Sequence, residues 1–206
     1  CYPRYAPREC TFRIMGQDRW HVDDLRSMLG IVTNDLVTTC TQPYSAKEIV
    51  LSGFFSAIGI WPWHEVVPEM EQKADELLEF MGLTPLKDRL MTEMSSGEVR
   101  RAVIARALVH NPKALILDEP TNSLDVHAFR DLRSTMSKLA QSGITIVLVT
   151  HHLPDIIHEI DRVICIQQGE LVQDGTKKEV LQSSVLSKLF NTEVEVIERD
   201  GYYQMW

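Results

Sequence analysis

The sequence has little of what marks secreted, membrane-spanning or nucleic-acid-binding chains. Its cysteines, Cys1, Cys10, Cys40 and Cys165, show no CxxC spacing, which argues against a cysteine-ligated zinc site or a disulfide framework and favours reduced thiols. Lys and Arg number 21 against 29 Asp and Glu, giving a net charge of −8. This acidic balance disfavours a nucleic-acid partner, because phosphate binding calls for a basic surface.

A long apolar run is also missing. The longest apolar stretch, 49–63, is interrupted by Ser52, Ser56 and Pro62 and is shorter than the roughly 20 residues that a spanning helix needs. The N-terminus shows no signal peptide. With 44% hydrophobic residues, the chain can bury a core as one globular unit with a possible subdomain, and we expect it to be cytoplasmic.

The middle of the chain carries the pattern of a parallel sheet. Residues 114–117 (ALIL) and 144–149 (ITIVLV) are continuous apolar runs, as in strands covered on both faces, and an amphipathic helix at 126–140 lies between them. A strand–helix–strand unit of this kind makes the two strands parallel. The fold class predicted is therefore α/β with a mainly parallel sheet.

Elements on either side complete this prediction. Ser45 and Glu48 have capping-box spacing, which predicts a helix through 49–58, and helical periodicity at 65–81 ends at Gly82. The other predicted elements are a strand at 11–15, a helix at 23–30, a strand at 30–33, a hairpin of 162–167 with 170–174 at the sheet edge, two helices within 176–190, and a strand at 193–198.

Polar residues follow both central strands. Asp118 and Glu119 come directly after the first, and Thr150, His151 and His152 follow the second. The carboxyl ends of parallel strands share one edge, where ligands collect, so these side chains should converge. One carboxylate to hold Mg²⁺, a second to act on water and a polar group near the departing phosphate suit phosphate chemistry; the alternative is that strand ends are simply polar.

A helix predicted at 97–109 begins after two serines. Ser95, Ser96 and Gly97 offer hydroxyls, unpaired backbone N–H groups and room for close approach, which together favour an anion site. The alternative is an ordinary helix cap.

These segments carry a family resemblance. MSSGEVRRAVIARAL (94–108) resembles the signature region of ABC ATPases, ALILDEPTNSLD (114–125) resembles their Walker B motif and D-loop, and ITIVLVTHH (144–152) resembles the strand that ends in the switch histidine. Order and spacing agree as well. The stretch VLSGFFSAIGIW (50–61) is similar to bacterial members of the ModF or YlmA type. The resemblance implies a P-loop NTPase-like core with a helical subdomain, ATP and Mg²⁺ as ligands, and ATPase activity in a head-to-tail dimer with a second ABC ATPase domain.

The resemblance also implies roles for individual residues. Asp118 would hold Mg²⁺, Glu119 would be the general base, and His151 would contact the γ-phosphate. His152 has no implied catalytic part, and we expect Arg100, Arg101 and Arg106 to be solvated or ion-paired on the signature helix. The remaining residues implied in ATP binding are Ser95, Ser96, Gly97, Glu98, Asn34 and Asp125.

Three positions depart from the family pattern. Ser96 stands where Gly is usual, Glu98 and Asn34 where Gln is usual. A serine Cβ narrows the approach to phosphate, Glu98 adds negative charge, and Asn34 is shorter by a methylene. These changes keep open the alternative of a catalytically impaired remnant that only binds.

The phosphate-binding Walker A sequence GxxxxGK[ST] does not occur in the 206 residues. Together with a first residue that is Cys and not Met, this predicts an N-terminally truncated, partial ABC ATPase domain, which alone should hydrolyse ATP negligibly. Its predicted parts are a helical subdomain at 45–93, the signature, Walker B and switch region at 94–152, and edge strands and helices at 153–206.

The leading functional hypothesis is an ATP-binding subunit that powers transport, peripheral on the inner face of the cell membrane. Its membrane-spanning partner subunits would dock on the helical subdomain, where Phe54, Phe55, Trp61 and Trp63 offer a patch; we expect at least half of these to be core instead. The alternative is an ABC ATPase without a transport role.

Overall fold

A parallel three-stranded sheet forms the centre of the computed structural model, which describes residues 13–206 apart from the side chain of Asp23. Strand β1 is Leu29–Val32, β2 is Ala114–Asp118 and β3 is Thr145–Val149. They pair in the order β1–β2–β3, with Asp118 opposite Val149 at the end of the sheet. The parallel pairing predicted for the two apolar runs is confirmed.

Helices cover one face of this sheet. Their bounds are Val22–Met28 for α1, Asn34–Cys40 for α2, Ala46–Ser52 for α3, Pro68–Phe80 for α4, Ser96–Ala107 for α5 and Val126–Gln141 for α6. The main core joins strand residues such as Leu115 and Leu117 to Ile49, Ile104 and Met136 of the helices, all fully buried. None of the helices in residues 13–206 is long and apolar enough to cross a bilayer.

The other face of the sheet is open across the described residues. Ile31, Val147 and Val149 lie on it, with exposures of 48%, 43% and 50%. Asp118 shares this face, since side chains alternate along a strand and Asp118 is paired with Val149. The prediction that both apolar strands are covered on both faces is therefore wrong for β3 within residues 13–206, whereas every residue of β2 is buried or half-buried.

Helix ends follow their capping residues. The capping box predicted at α3 is confirmed: the Glu48 amide donates to Ser45 Oγ at 3.2 Å, and the Ser45 amide donates to Glu48 Oε2 at 2.7 Å. The end of α4 is also as predicted, with Gly82 at φ +68°. However, α3 ends at Ser52 instead of continuing to 58, because Ser56 takes the left-handed conformation at φ 51° and closes a short 3-10 turn.

Residues 13–15, the described part of the strand predicted at 11–15, do not form a strand, so the prediction is wrong there. Thr11 and Phe12 lie outside the described residues. Ile14 and Gln17 exchange two backbone hydrogen bonds of 3.0 Å around a tight turn. Met15 and Gly16 at its centre both have positive φ, as the turns of two-residue hairpins require.

The C-terminal part forms two small hairpins. The first pairs β4 (Arg162–Gln167) with β5 (Glu170–Thr176) as predicted, but as a separate sheet and not at the edge of the parallel one. Helices α7 (Lys177–Val180) and α8 (Ser183–Phe190) follow, and β6 (Val196–Arg199) then pairs with β7 (Tyr202–Met205). A second apolar cluster holds this part together: Leu153, Ile156, Leu181, Leu186 and Tyr203.

Candidate active site

The ends of β2 and β3 are tied together where the predicted site residues emerge. The Glu119 amide donates to the Val149 carbonyl at 2.8 Å, one residue past the end of β2. Glu119 has φ 48°, a left-handed conformation that is uncommon for a residue other than glycine. Such strained residues concentrate at functional sites, and here the turn carries the Glu119 side chain toward the segment after β3.

Glu119 and His151 form a hydrogen-bonded pair. Glu119 Oε1 lies 2.6 Å from His151 Nδ1. An ionised carboxylate only accepts hydrogen bonds, so Nδ1 is the donor. The other oxygen, Oε2, is buried and has no hydrogen-bond partner among the described residues. The Glu119 side chain is 20% exposed and that of His151 is 62% exposed. The convergence expected from parallel strands is thus observed for Glu119 and His151, with one Glu119 carboxylate oxygen left without a partner.

A buried carboxylate, Asp155, fixes the segments that follow both strands. Its Oδ1 accepts from Thr121 Oγ1 at 2.7 Å and its Oδ2 accepts from Thr150 Oγ1 at 2.5 Å. Thr150 Oγ1 in turn accepts from the His152 amide at 3.0 Å. Asp155 is only 1% exposed. Sequence reasoning missed it; the one signal is its position within the apolar stretch LPDII.

Arg100 of α5 also forms hydrogen bonds with the segment that follows β2. Its Nη1 donates to the Glu119 carbonyl at 3.0 Å, and its Nη2 donates to Asn34 Oδ1 at 3.1 Å and to the Asn122 carbonyl at 3.4 Å. Burial lowers the pKa of Arg100. The prediction of a solvated or ion-paired Arg100 is wrong: it is buried and ties Asn34, the first residue of α2, to the chain after β2.

The two other arginines of α5 differ from each other. Arg101 is ion-paired as expected, with Nη1 3.5 Å from Asp131 Oδ2. Arg106 is not: its Nη2 donates to the Ala57 carbonyl at 2.9 Å and its Nε to Ser52 Oγ at 3.3 Å, and burial lowers its pKa. The prediction was therefore wrong for Arg106, which instead fastens the irregular segment after α3 to the signature helix.

The start of α5 is closed by a capping box of its own. Glu98 Oε2 accepts from the Ser95 amide at 2.7 Å, and Ser95 Oγ accepts from the Glu98 amide at 3.4 Å. The hydrogen bond from the Ser95 amide is the largest cause of a lowered pKa for Glu98. The charge of Glu98 is thus turned back toward the helix, and Ser96 is the first helical residue.

Gly97 lies where α5 meets α6, and Asp125 caps the start of α6. A Cβ on Gly97 would lie 2.7 Å from the Cβ of Ala128, so the glycine permits close contact between the two helices. Asp125 caps α6, with Oδ1 accepting from the amides of His127 and Ala128 at 2.8 Å each. Within residues 13–206, no hydrogen bond joins the group Ser95–Glu98 or Asp125 to Glu119 or His151. Their roles in ATP binding stay predictions.

Comparison with known proteins agrees with this architecture. The family model described as ABC transporter matches residues 5–122. The uncharacterized ABC transporter ATP-binding protein YlmA of Bacillus subtilis is 34% identical over 198 residues, which cover 94% of this chain and 74% of YlmA. The hemin import ATP-binding protein HmuV of Rhodopseudomonas palustris is 37% identical over 130 residues, 59% of this chain and 48% of HmuV.

A solved structure shows the same fold. CbiO1 of Clostridium perfringens, part of the ABC transporter complex CbiONQ, superposes with a TM-score of 0.66 at 28% identity, covering 82% of this chain and 65% of CbiO1. The predicted P-loop NTPase-like α/β class is confirmed. On the matched family, the similarity to YlmA and this fold, the chain belongs to the ABC transporter family, among its ATP-binding components.

Proposed function

We propose that Glu119 and His151 form the catalytic centre of ATP hydrolysis in the complete protein, and that this activity powers transport across a membrane. The observation that carries the proposal is the Glu119–His151 pair at 2.6 Å, with the second Glu119 oxygen buried and unpartnered. A carboxylate held by one oxygen, with the other left over, is arranged to accept a proton from water.

His151 has a second nitrogen for the substrate. Nδ1 donates to Glu119, which fixes the plane of the ring. Nε2, when it also carries a proton, can donate to a terminal phosphate oxygen of ATP. The same side chain thus orients the base and contacts the group that departs, and loss of the phosphate would release the ring.

Asp118 fits a site for Mg²⁺. It is half-buried at the last position of β2, and within residues 13–206 its carboxylate has neither a hydrogen bond nor an ion pair. Carboxylate oxygens are the ligands that Mg²⁺ prefers. When bound, Mg²⁺ neutralises the charge that develops on the phosphate oxygens.

The start of α5 would serve a nucleotide held by a second ABC ATPase domain. The Ser95 hydroxyl accepts from Glu98 within its capping box, yet its own proton remains available for a phosphate. Ser96 and Gly97 are the first two residues of α5, so their amides point out of the helix end. A head-to-tail, two-fold dimer would place this end over the partner's catalytic centre, and Asp125 at the neighbouring start of α6.

Membrane-spanning subunits would dock beside α3. Phe54 packs against the main core, whereas Phe55 is half-buried, lies outside that core and stacks on the His64 ring at 4.3 Å, so only one residue of the patch is core and not the half that was expected. Trp61 and Trp63 stack on each other at 5.3 Å and are 43% and 74% exposed. Two exposed stacked indoles are a surface that an apolar partner would cover. Such docking would place the protein on the cytoplasmic side of the membrane.

The test is ATP hydrolysis by the complete protein, because residues 1–206 contain no GxxxxGK[ST] sequence. We expect Glu119→Gln to lower kcat by about 100-fold or more while nucleotide binding persists, since the amide cannot take the proton. Glu170→Gln is the matched control: it is the same change at an exposed residue of β5 and should leave kcat unaltered.

Two outcomes would contradict the proposal. Equal turnover in Glu119→Gln and Glu170→Gln would remove Glu119 from the base role. Absence of turnover in the complete wild-type protein that still binds ATP would favour the impaired remnant. Stimulation of hydrolysis by co-purified membrane subunits, abolished by replacing Trp63 with Ser, would support transport over an ABC ATPase without a transport role.

A further inference from the structure

Two adjacent histidines and a glutamate meet at the tips of β2 and β3. Glu119, His151 and His152 each offer one donor atom, and these three atoms all lie within 4.8 Å of one another. The two imidazole rings are 3.9 Å apart at their centroids. Neighbouring side chains of an extended chain point to opposite sides, but the bend at His151 turns both rings to one side. His152 is thereby brought to the catalytic centre, although the family resemblance assigns it no part there.

We propose that Glu119, His151 and His152 bind a transition-metal ion such as Zn²⁺. Two imidazoles and one carboxylate are the ligand set of open zinc sites, which keep a fourth position for water. Ligands of a tetrahedral zinc ion lie about 3.3 Å apart, so donors within 4.8 Å need a shift of about 1–1.5 Å. Both histidines are exposed, and their side chains have room for that shift.

The charges in the cluster favour a cation. Glu119 Oε2 is buried without a hydrogen-bond partner in the described part of the chain, which is costly for a carboxylate. A metal ion on this carboxylate would remove that cost. Imidazole ligands select zinc, cobalt or nickel over Mg²⁺, whereas Asp118 offers only oxygen, so the two metals would prefer different residues.

The effect of such a metal ion on ATP hydrolysis rests on the proposed function. A metal ion held by Glu119 and His151 occupies the groups that would take the water's proton and contact the phosphate. Zn²⁺ would therefore inhibit ATP hydrolysis. As the third ligand, His152 would raise the affinity for Zn²⁺ enough for the ion to compete with the water and the phosphate for Glu119 and His151.

The experiment titrates the complete protein with Zn²⁺ by calorimetry and with Co²⁺ by visible absorption, both without nucleotide. We expect one equivalent of Co²⁺ to give the intense absorption of a tetrahedral site. His152→Gln should weaken binding by about 10-fold or more, since even the loss of a residue that only orients a ligand costs about 10- to 100-fold. His127→Gln is the matched control, since the His127 side chain is 90% exposed and outside the cluster.

The second measurement is the Zn²⁺ dependence of hydrolysis, each variant referred to its own rate without Zn²⁺. His152→Gln should raise the inhibitory Zn²⁺ concentration by the same factor as it weakens binding. Unchanged affinity in His152→Gln, with circular dichroism showing a folded protein, would overturn the proposal, as would equal weakening in His127→Gln. Metal binding that responds to His152 while hydrolysis ignores Glu119 would uphold the site and refute the catalytic assignment instead.

Discussion

Asp155 shows how a single buried side chain holds the candidate site. It is 1% exposed, yet both of its oxygens accept hydrogen bonds, from Thr121 after β2 and from Thr150 after β3. Thr150 directly precedes His151. The position of His151 relative to Glu119 therefore depends on a carboxylate that forms a hydrogen bond with neither of them.

Replacing Asp155 should be costly. In Asp155→Ala the hydroxyls of Thr121 and Thr150 lose their acceptor, and we expect the free energy of unfolding to fall by about 2–4 kcal/mol, as when buried polar groups are left unpaired. Urea denaturation followed by circular dichroism measures the change. Asp161→Ala, at an exposed position nearby, should stay within about 0.5 kcal/mol of wild type. Equal losses in the two variants would show that the Asp155 hydrogen bonds add nothing to stability.

Single residues were predictable where periodicity fixed their place. The convergence of Glu119 and His151 follows from parallel strands alone, because such strands end at one edge. Arg100 was missed, although it stands three residues before Val103 and four before Ile104, on the buried side of the helix. Its charge suggested solvent, and its acceptors on Asn34 and Glu119 come from distant segments that no local pattern reveals.

At the scale of elements, the close approach of α5 and α6 depends on one missing side chain. Gly97 is buried near the start of α5, and a Cβ there would lie 2.7 Å from the Cβ of Ala128. The sequence suggested that this glycine admits a phosphate. The structure gives a second reason for the glycine: α5 and α6 meet at Gly97, and a side chain there would collide with Ala128.

The contact can be tested with a double-mutant cycle. Gly97→Ala should destabilise the protein by about 1–3 kcal/mol through overpacking, even though alanine is the better helix former. Adding Ala128→Gly should recover at least about 0.5 kcal/mol beyond additivity, since it removes the opposing methyl. The single and double variants are compared by chemical denaturation. Strictly additive effects would mean that the two Cβ positions do not compete for space.

Element types were easier to predict than their ends. The capping box at Ser45 and the stop at Gly82 were readable because each uses a residue type suited to its position. The turn at Met15 and the early end of α3 were not readable from the sequence, because Met15 and Ser56 adopt left-handed conformations that are uncommon for their residue types. Tertiary contacts decide such positions.

At the scale of the whole molecule, residues 13–206 contain two apolar clusters of unequal size. The main one lies between the parallel sheet and α3–α6, and the smaller one joins α8 to the β6–β7 hairpin. Ile160 packs against both. Polar contacts also link them: Glu159 accepts from Ser137 of α6 at 2.8 Å, and the Arg133 guanidinium lies 3.7 Å from the Tyr202 ring centroid.

This division was only partly readable from the sequence. The apolar runs predicted the parallel sheet, because continuous apolar runs are typical of the strands of parallel sheets. The 162–174 hairpin was correctly predicted as a hairpin but wrongly placed at the sheet edge. An alternating pattern in a strand indicates which side chains face a hydrophobic core, but not which of two cores they face. The sequence therefore could not show which strand residues belong to the smaller cluster.

A cluster held by so few residues should open separately from the rest of the molecule. Leu186 of α8 is 2% exposed, and Leu186→Ala should cost about 2–4 kcal/mol of local stability. Hydrogen exchange should then quicken across 183–205, while the amides of β2 keep their protection, since sub-global opening is confined to the weakened unit. Leu115→Ala, at a fully buried position of β2, is the matched change in the main core and should quicken exchange throughout the protein. If Leu186→Ala exposes β2 and the C-terminal hairpin to the same degree, the two clusters form one cooperative unit, and the chain beyond β3 is as integral to the ATP-binding core as the strands that carry Glu119 and His151.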